Sequence, residues 1–468
     1  MNKLAPVWLL LISSLLLADG GIWVPDHNIW QPHPENQQLA AIHWEDGTQN
    51  MILSVDIDRQ EPAEKAIWIF PVPASHEKIR IDVSEGFPTF SGQEIDSELG
   101  SSTALSAFAS VGWATFPAGI PLLLLLAMGS PIGSVGGMEG APRAMAAGLP
   151  EGVILRERII RMGLTTDLIS AYNSAGLEQY FTERGGTVSS ESKEVLNYYV
   201  GRQYSFVVSY ISNLSAFDAE TRELPPVQPV VEEGVVSSSY PYYPRYRPYT
   251  PVAVFVKFPT DKIYFPLKPT SIYGKTEVPA TIYVTSHVSP EVYSGISSQT
   301  KVEYQVNGRV IENYLSYDET SALLNGREST GLKLTQIKIT GPSSNFQEDL
   351  WMGPSAPADV QFKDGWLANW LPITVLLFAL VAALSSVIAG RVTLQGTGLS
   401  NKKLALFGLG SVLTMPGFAI LAWFLLKSPG KKGLPQGWSG KKFGYFLLFY
   451  VVFIVLCVAF WILANSLF

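Results

Sequence analysis

Asp26, His27, His33 and Glu35 are the densest grouping of metal-ligand side chains in the chain. Carboxylate oxygens and imidazole nitrogens together suit hard or borderline divalent cations, so these four are the candidate metal ligands. Their spacing matches no ligand motif, and Pro25, Pro32 and Pro34 run between them, a composition that equally fits an extended, solvated segment. Asp56 and Asp58 fall on one face of an expected strand at calcium-like spacing. No Asp/Asn-Gly loop or distal Glu completes a calcium site, so a polar solvent face is the simpler reading. His43 lies at the centre of an apolar strand. An imidazole there can act as a general base, although a hydrogen-bonded core role is the more common one. His76 and His287 show no partner in the sequence.

The nucleophile elbow Gly-x-Ser-x-Gly, the zinc motif His-Glu-x-x-His and the phosphate loop are all missing. Cys457, the single cysteine, lies inside an apolar run, so no intramolecular disulfide is possible. No catalytic residue and no cofactor is therefore assigned, and the expectation is a non-enzymatic protein. Tyr240, Tyr242, Tyr243, Arg245, Tyr246, Arg247 and Tyr249 are the candidate binding residues. Tyr and Arg in an extended loop supply contact area and hydrogen bonds at low entropic cost, although the same stretch would also serve as a passive spacer. Asn213-Leu214-Ser215 is a glycosylation sequon.

The elements that must carry these residues fall into three zones. Residues 1–20 read as a signal peptide, with Lys3, an apolar core from Ala5 to Leu17, and small residues at Ala18 and Gly20. Residues 21–98 read as the first part of an exported β-rich domain. Strands are expected at 39–44, 50–58, 66–71 and 78–83, with Asp46-Gly47 as the turn of a hairpin. Residues 99–152 form an apolar insertion, uncharged from 99 to 138, in which Pro117, Gly119 and Pro121 favour two short helices or a re-entrant dip. Residues 153–365 read as the second part of the exported domain, with a strand at 153–160 and a helix from Asp167 to Glu183 capped by Thr165 or Thr166. A second helix is expected at 191–200, then further strands, with a Pro/Tyr-rich loop at 225–251.

Residues 366–468 contain three apolar runs, 371–390, 404–426 and 443–468, each about as long as the roughly 20 residues that cross ~30 Å of hydrocarbon as a helix. The fold-class expectation is thus α+β: a β-rich exported domain with a few helices, plus a C-terminal all-α transmembrane segment of about three helices. After Asp364 the chain has eight basic residues and no acidic one, whereas residues 1–363 hold 25 basic against 39 acidic. An acidic body without a basic stripe argues against nucleic acid as a partner. The expected partners are the lipid bilayer and another membrane or envelope protein. The expected location is the cytoplasmic membrane, multi-pass, with the large domain outside. Charge placement leaves open whether 404–426 turns back and on which side the chain ends. The apolar runs hold no charged residue in their interiors, which disfavours an ion pathway.

Two series of residues resemble a known family. The first is Leu39-Ala40-Ala41-Ile42-His43-Trp44, Asp46-Gly47, Met51-Ile52-Leu53-Ser54-Val55 and Ala66-Ile67-Trp68-Ile69-Phe70-Pro71-Val72-Pro73. The second is Leu196-Asn197-Tyr198-Tyr199-Val200, Tyr204-Ser205-Phe206-Val207-Val208, and Phe258 followed by Tyr264-Phe265-Pro266-Leu267. In this order they resemble the bacterial and archaeal family catalogued as domain of unknown function 2330, over about residues 20–290. The resemblance implies an exported, surface-anchored protein and supplies no catalytic residue. This chain departs from the family in lacking paired cysteines near Gly20-Gly21. The leading expectation is a membrane-anchored envelope protein displaying an extracytoplasmic domain for binding or scaffolding. The alternatives are a membrane-bound enzyme, such as a metal-dependent hydrolase with its site between the domain and the insertion, and an accessory subunit of a membrane complex.

Overall fold

The structure, a computed structural model, describes residues 21–26, 29–32, 37–55, 66–84, 86–115, 152–220, 252–311, 317–329 and 331–373, with single positions at 376, 448, 451, 452, 455 and 459. The chain forms two compact units, one from 1–93 and 136–357, the other from 94–135 and 358–468.

In the first unit, β1 (Gly21–Asp26) and β2 (Ile29–Pro32) precede the hairpin β3 (Gln38–Glu45) and β4 (Thr48–Val55). Asp46 and Gly47 both have positive φ, 48° and 74°, as a tight two-residue hairpin turn requires. Next come β5 (Ile67–Val72), a 3-10 turn at His76–Lys78, β6 (Arg80–Ser84) and β7 (Thr89–Glu94). In the second unit α1 covers Ile95–Thr115.

The first unit resumes with β8 (Val153–Arg161), β9 (Leu164–Ala171), α2 (Ser174–Thr182), β10 (Thr187–Val188), α3 (Ser190–Asn197), β11 (Ser205–Ile211) and α4 (Leu214–Glu220). After these come β12 (Val252–Pro259), β13 (Ile263–Phe265), β14 (Ala280–Val284), β15 (Ser289–Pro290), β16 (Thr300–Ile311), α5 (Tyr317–Leu323), β17 (Leu332–Ile339) and β18 (Leu350–Gly353).

The strands make three sheets: β10-β2-β1-β5-β11-β9-β8, β6-β12-β4-β3-β14-β17-β16-β7, and β13-β18-β15. Alternation explains the layering, because successive strand residues point to opposite faces. Trp68, Phe70, Val72, Leu164, Leu168 and Val207 of the seven-stranded sheet share one core with Ile42, Met51, Leu53, Val254, Val256, Ile282 and Ile337 of the eight-stranded sheet. The two sheets therefore pack face to face. On the outer face of the seven-stranded sheet, Ile67, Ile69, Ile169, Phe206 and Val208 pack with Leu177, Tyr180 and Phe181 of α2 and Leu196 of α3. On the outer face of the eight-stranded sheet, Ala41, Ile52 and Ala253 pack with Leu323 of α5 and Leu324. The β-rich α+β expectation agrees with this arrangement of helices outside two packed sheets.

Two expectations are corrected. Residues 167–183 do not form one helix: Leu164–Ala171 is β9, and the helix begins only at Ser174, where the Asn173 side chain accepts from the Gly176 N–H. The reason lies in Met162 and Gly163, both at positive φ, which turn β8 back into a hairpin and commit the β-branched Thr165-Thr166 pair to a strand.

The second correction concerns the C-terminal all-α transmembrane segment. Among the described residues no helix is long and apolar enough to cross a membrane. α1 carries Asp96 and Glu98 in its first turn and a Ser- and Gly-rich continuation, and α6, at 358–373, carries Asp359, Lys363 and Asp364. The runs 371–390, 404–426 and 443–468 lie almost wholly outside the described residues. Within the second unit Lys363 Nζ stands 2.6 Å from Asp96 Oδ1, joining α6 to the start of α1.

Candidate functional site

Asp349, immediately before β18, is buried and collects three donor groups from two distant parts of the chain. Tyr199 Oη donates to its two carboxylate oxygens at 2.9 and 3.1 Å. Tyr264 Oη donates at 3.1 Å, and so does the Lys268 backbone N–H. Local structure sets each donor. α3 starts where the Ser189 side chain accepts from the Ser192 N–H and ends at Asn197, so Tyr199 sits in the turn just past its C-cap Tyr198, before Gly201 at φ 74°. Tyr264 is the middle residue of β13, opposite Trp351 of β18.

Aromatic rings close around the carboxyl group. The Tyr199 ring lies 5.1 Å from that of Tyr204 and 6.2 Å from that of Phe206, and the Tyr264 ring lies 4.9 Å from Trp351 and 6.4 Å from Phe258. These are edge-on or tilted pairs within the distances at which aromatic quadrupoles attract. Burial pushes the Asp349 carboxyl up to about 6, against the opposing pull of the hydrogen bonds from Tyr199, Lys268 and Tyr264. Burial and the nearby carboxylate also push Tyr199 and Tyr264 well above the usual phenol range. At the rim, the Tyr198 ring faces the Arg202 guanidinium at 4.0 Å and Lys268 Nζ at 4.6 Å. The assembly can hold a proton near pH 6 and joins α3, β11, β13 and β18.

A second buried carboxylate, Asp167 on β9, is held by Arg158 Nε and Nη2 at 2.6 and 2.7 Å, by Tyr180 Oη at 2.7 Å and by Arg184 Nη2 at 3.1 Å. The Arg184 guanidinium also covers the Tyr180 ring at 3.4 Å. This clamp, bidentate from Arg158 and single from Arg184, fastens Tyr180 of α2 to the seven-stranded sheet.

His43 is placed on the outer face of the eight-stranded sheet, opposite Asn50. Its Nδ1 is 2.7 Å from Thr285 Oγ1, and its Nε2 is 3.6 Å from Glu45 Oε2. Burial, with Arg327 and Lys257 nearby, lowers its pKa to about 4. It is therefore neutral at pH 7 and a poor proton acceptor, which removes the main attraction of the general-base reading. The Asn50 amide donates to the Ala322 and Leu323 carbonyls, so this end of the sheet caps α5.

His76 does have a partner, contrary to expectation. Its Nδ1 lies 2.8 Å from Ser170 Oγ. His287 Nε2 lies 2.9 Å from the Gln305 carbonyl oxygen, with its ring edge-on to Tyr304. Asn213 of the sequon accepts from the Ala216 N–H and so caps α4.

Of the expected metal ligands, Asp26 ends β1 in register with Ile29, and His27, His33 and Glu35 lie outside the described residues. Asp56, Asp58 and the binding candidates from Tyr240 to Tyr249 lie outside them as well. Among the described residues no group of three His, Cys, Asp or Glu side chains is placed to hold a metal. Sequence reasoning missed Asp349, Asp167 and the Ser170–His76 pair, because each depends on partners at least nine residues away in sequence and mostly far more.

No family model matches the chain, and no curated protein matches it. Among solved structures, the crystal structure of baculovirus P35 aligns at 9% identity over 69% of this chain and 97% of that chain, with a TM-score of 0.24. A likeness at that score carries no argument about fold or function.

Proposed function

We propose that this chain is a membrane-held envelope protein whose β-rich unit is displayed outside the cytoplasmic membrane for binding or scaffolding. The observation that carries the reading is the use made of its aromatic segments. Residues 196–200, 204–208 and 258–267 meet around Asp349 and form a buried joint between elements. Residues so deployed stiffen a display surface.

The export-like start of the chain supports an outside location. The long apolar, acid-free stretches after Asp364 supply affinity for a bilayer, as do the exposed side chains of Leu376, Leu448, Val451 and Val455. A second envelope protein is the proposed partner, contacted through Tyr240, Tyr242, Tyr243, Arg245, Tyr246, Arg247 and Tyr249.

Protease added to intact cells or spheroplasts tests the location: the β-rich unit is expected to be cut while a cytoplasmic control survives, and full protection would overturn the reading. For binding, replacing those seven Tyr and Arg residues by Ser is expected to abolish crosslinking to a neighbouring envelope protein in living cells while leaving the Tm unchanged.

A further inference from the structure

Ser170 and His76 meet at the edge of the two-sheet core, where the chain leaves β5 of one sheet for β6 of the other through the 3-10 turn at His76–Lys78. Ser170 is in register with Ile154 on the edge strand β8. That strand contains a bulge: Leu155 pairs with Ile169 and Glu157 with Leu168, so Arg156 is the extra, unpaired residue. A bulge re-aims the side chain at the inserted position. Arg156 is exposed, and its charge acts on His76. On the other side of the imidazole, Nε2 has no hydrogen-bond partner and lies 3.8 Å from Glu77 Oε1.

These four side chains have complementary chemistry. A carboxylate beside Nε2 favours the tautomer with its proton there, which leaves the Nδ1 lone pair for the Ser170 hydroxyl. Burial and Arg156 keep His76 below the ordinary imidazole range, with Glu77 opposing them, so the neutral ring, with Nδ1 at 2.8 Å from Ser170 Oγ, is the form that faces the hydroxyl. Arg156, bulged on the strand that pairs with Ser170, adds a guanidinium whose charge reaches His76, the kind of group that polarises an acyl oxygen.

We propose that Ser170 and His76 form a nucleophile–base pair for acyl transfer from small carboxylic esters, with Arg156 on the acyl oxygen. The Ser170 hydroxyl gives its proton to His76 Nδ1 as Oγ bonds to the acyl carbon. The departing alkoxide takes that proton from Nδ1 as the ester C–O bond breaks and leaves as an alcohol. Water, giving a proton to His76, then attacks the acyl-serine, and Oγ regains the proton as the carboxylic acid departs. With Ser170 only 6% exposed, the fitting substrates have short acyl chains, which would lie against Ile154.

The test uses the full chain with a fluorophosphonate probe and with p-nitrophenyl acetate. Mass spectrometry is expected to find the probe on Ser170, with labelling lost in Ser170→Ala and at least ~100-fold slower in His76→Gln. Arg156→Gln changes an exposed residue and is expected to hydrolyse the ester about 10-fold more slowly with an unchanged melting temperature. Glu77→Gln separates positioning from folding. Burial and two charges set the base's titration: Arg156 on β8, which lowers it, and Glu77 on its own turn, which raises it. Removing the Glu77 charge is therefore expected to move the pH midpoint of labelling downward. Failure of the wild-type protein to label at Ser170, or equal labelling of folded His76→Gln, would overturn the proposal.

Discussion

Asp349 is held where burial and hydrogen bonding pull its charge in opposite directions, and burial prevails. Its unfolded value is 3.8 and its folded value about 6, so between these the folded chain holds a proton that the unfolded chain has released. Stability from this group is therefore complete below about pH 4 and declines as pH rises through 6, by roughly 3 kcal/mol in all. Asp349→Asn is expected to remove that component: the stability gained between pH 7.5 and 4.5 should shrink, and an unchanged gain would refute the assignment. Asp167 is the contrasting case, because its charge is matched by two guanidinium groups. Arg158→Ala leaves the buried carboxylate with one guanidinium, Arg184, and the Tyr180 hydroxyl, and urea titration should show a loss of roughly 3 kcal/mol. Neither aspartate was legible in the sequence. Asp349 follows Gln347-Glu348 and reads as solvated surface, while its tyrosine donors lie 150 and 85 positions away.

At the scale of elements, turn chemistry decided what the sequence revealed. Asp46-Gly47 announced the β3–β4 hairpin, since few pairs other than those with Asn, Asp and Gly accept positive φ at both turn positions. Met162-Gly163 makes the same kind of turn with a less telling first residue, and the strand after it was read as the start of a helix. The two glycines also separate conformation from crowding. A Cβ on Gly47 meets nothing within 4 Å, whereas one on Gly163 would come within 2.4 Å of both the Asn213 carbonyl oxygen and the Phe217 nitrogen. Gly47→Ala is therefore expected to cost about 1 kcal/mol for φ alone, and Gly163→Ala clearly more, as paired urea titrations would show. Equal losses would mean that α4 yields freely to the β8–β9 turn. The apolar tail is a different case: its runs at 371–390, 404–426 and 443–468 lie almost wholly outside the described residues, and among those no helix is long and apolar enough to cross a membrane.

The whole β-rich unit is interleaved along the chain. β12 lies between β4 and β6, and β14 runs parallel to β3, so strands from after residue 251 fill gaps left by strands from before residue 85. Cleavage at a protease site inserted within 225–251 should thus give two fragments that elute as one species from a native sizing column and part only in denaturant. Fragments that separate without denaturant would contradict the strand order. Alternating strands were legible one by one, but their order across the sheets was not, because period-two patterning fixes a face and not a neighbour. The joint at Asp349 gives this interleaving a consequence for biosynthesis. A nascent chain that stops short of residue 349 has made Tyr199 and Tyr264 but not their shared acceptor. Packing those rings would then strand two hydroxyls away from water, which discourages premature closure and leaves an unfinished product open to degradation. The last buried carboxylate of the unit thereby ties closure of this joint to synthesis of the β-rich unit nearly to its end.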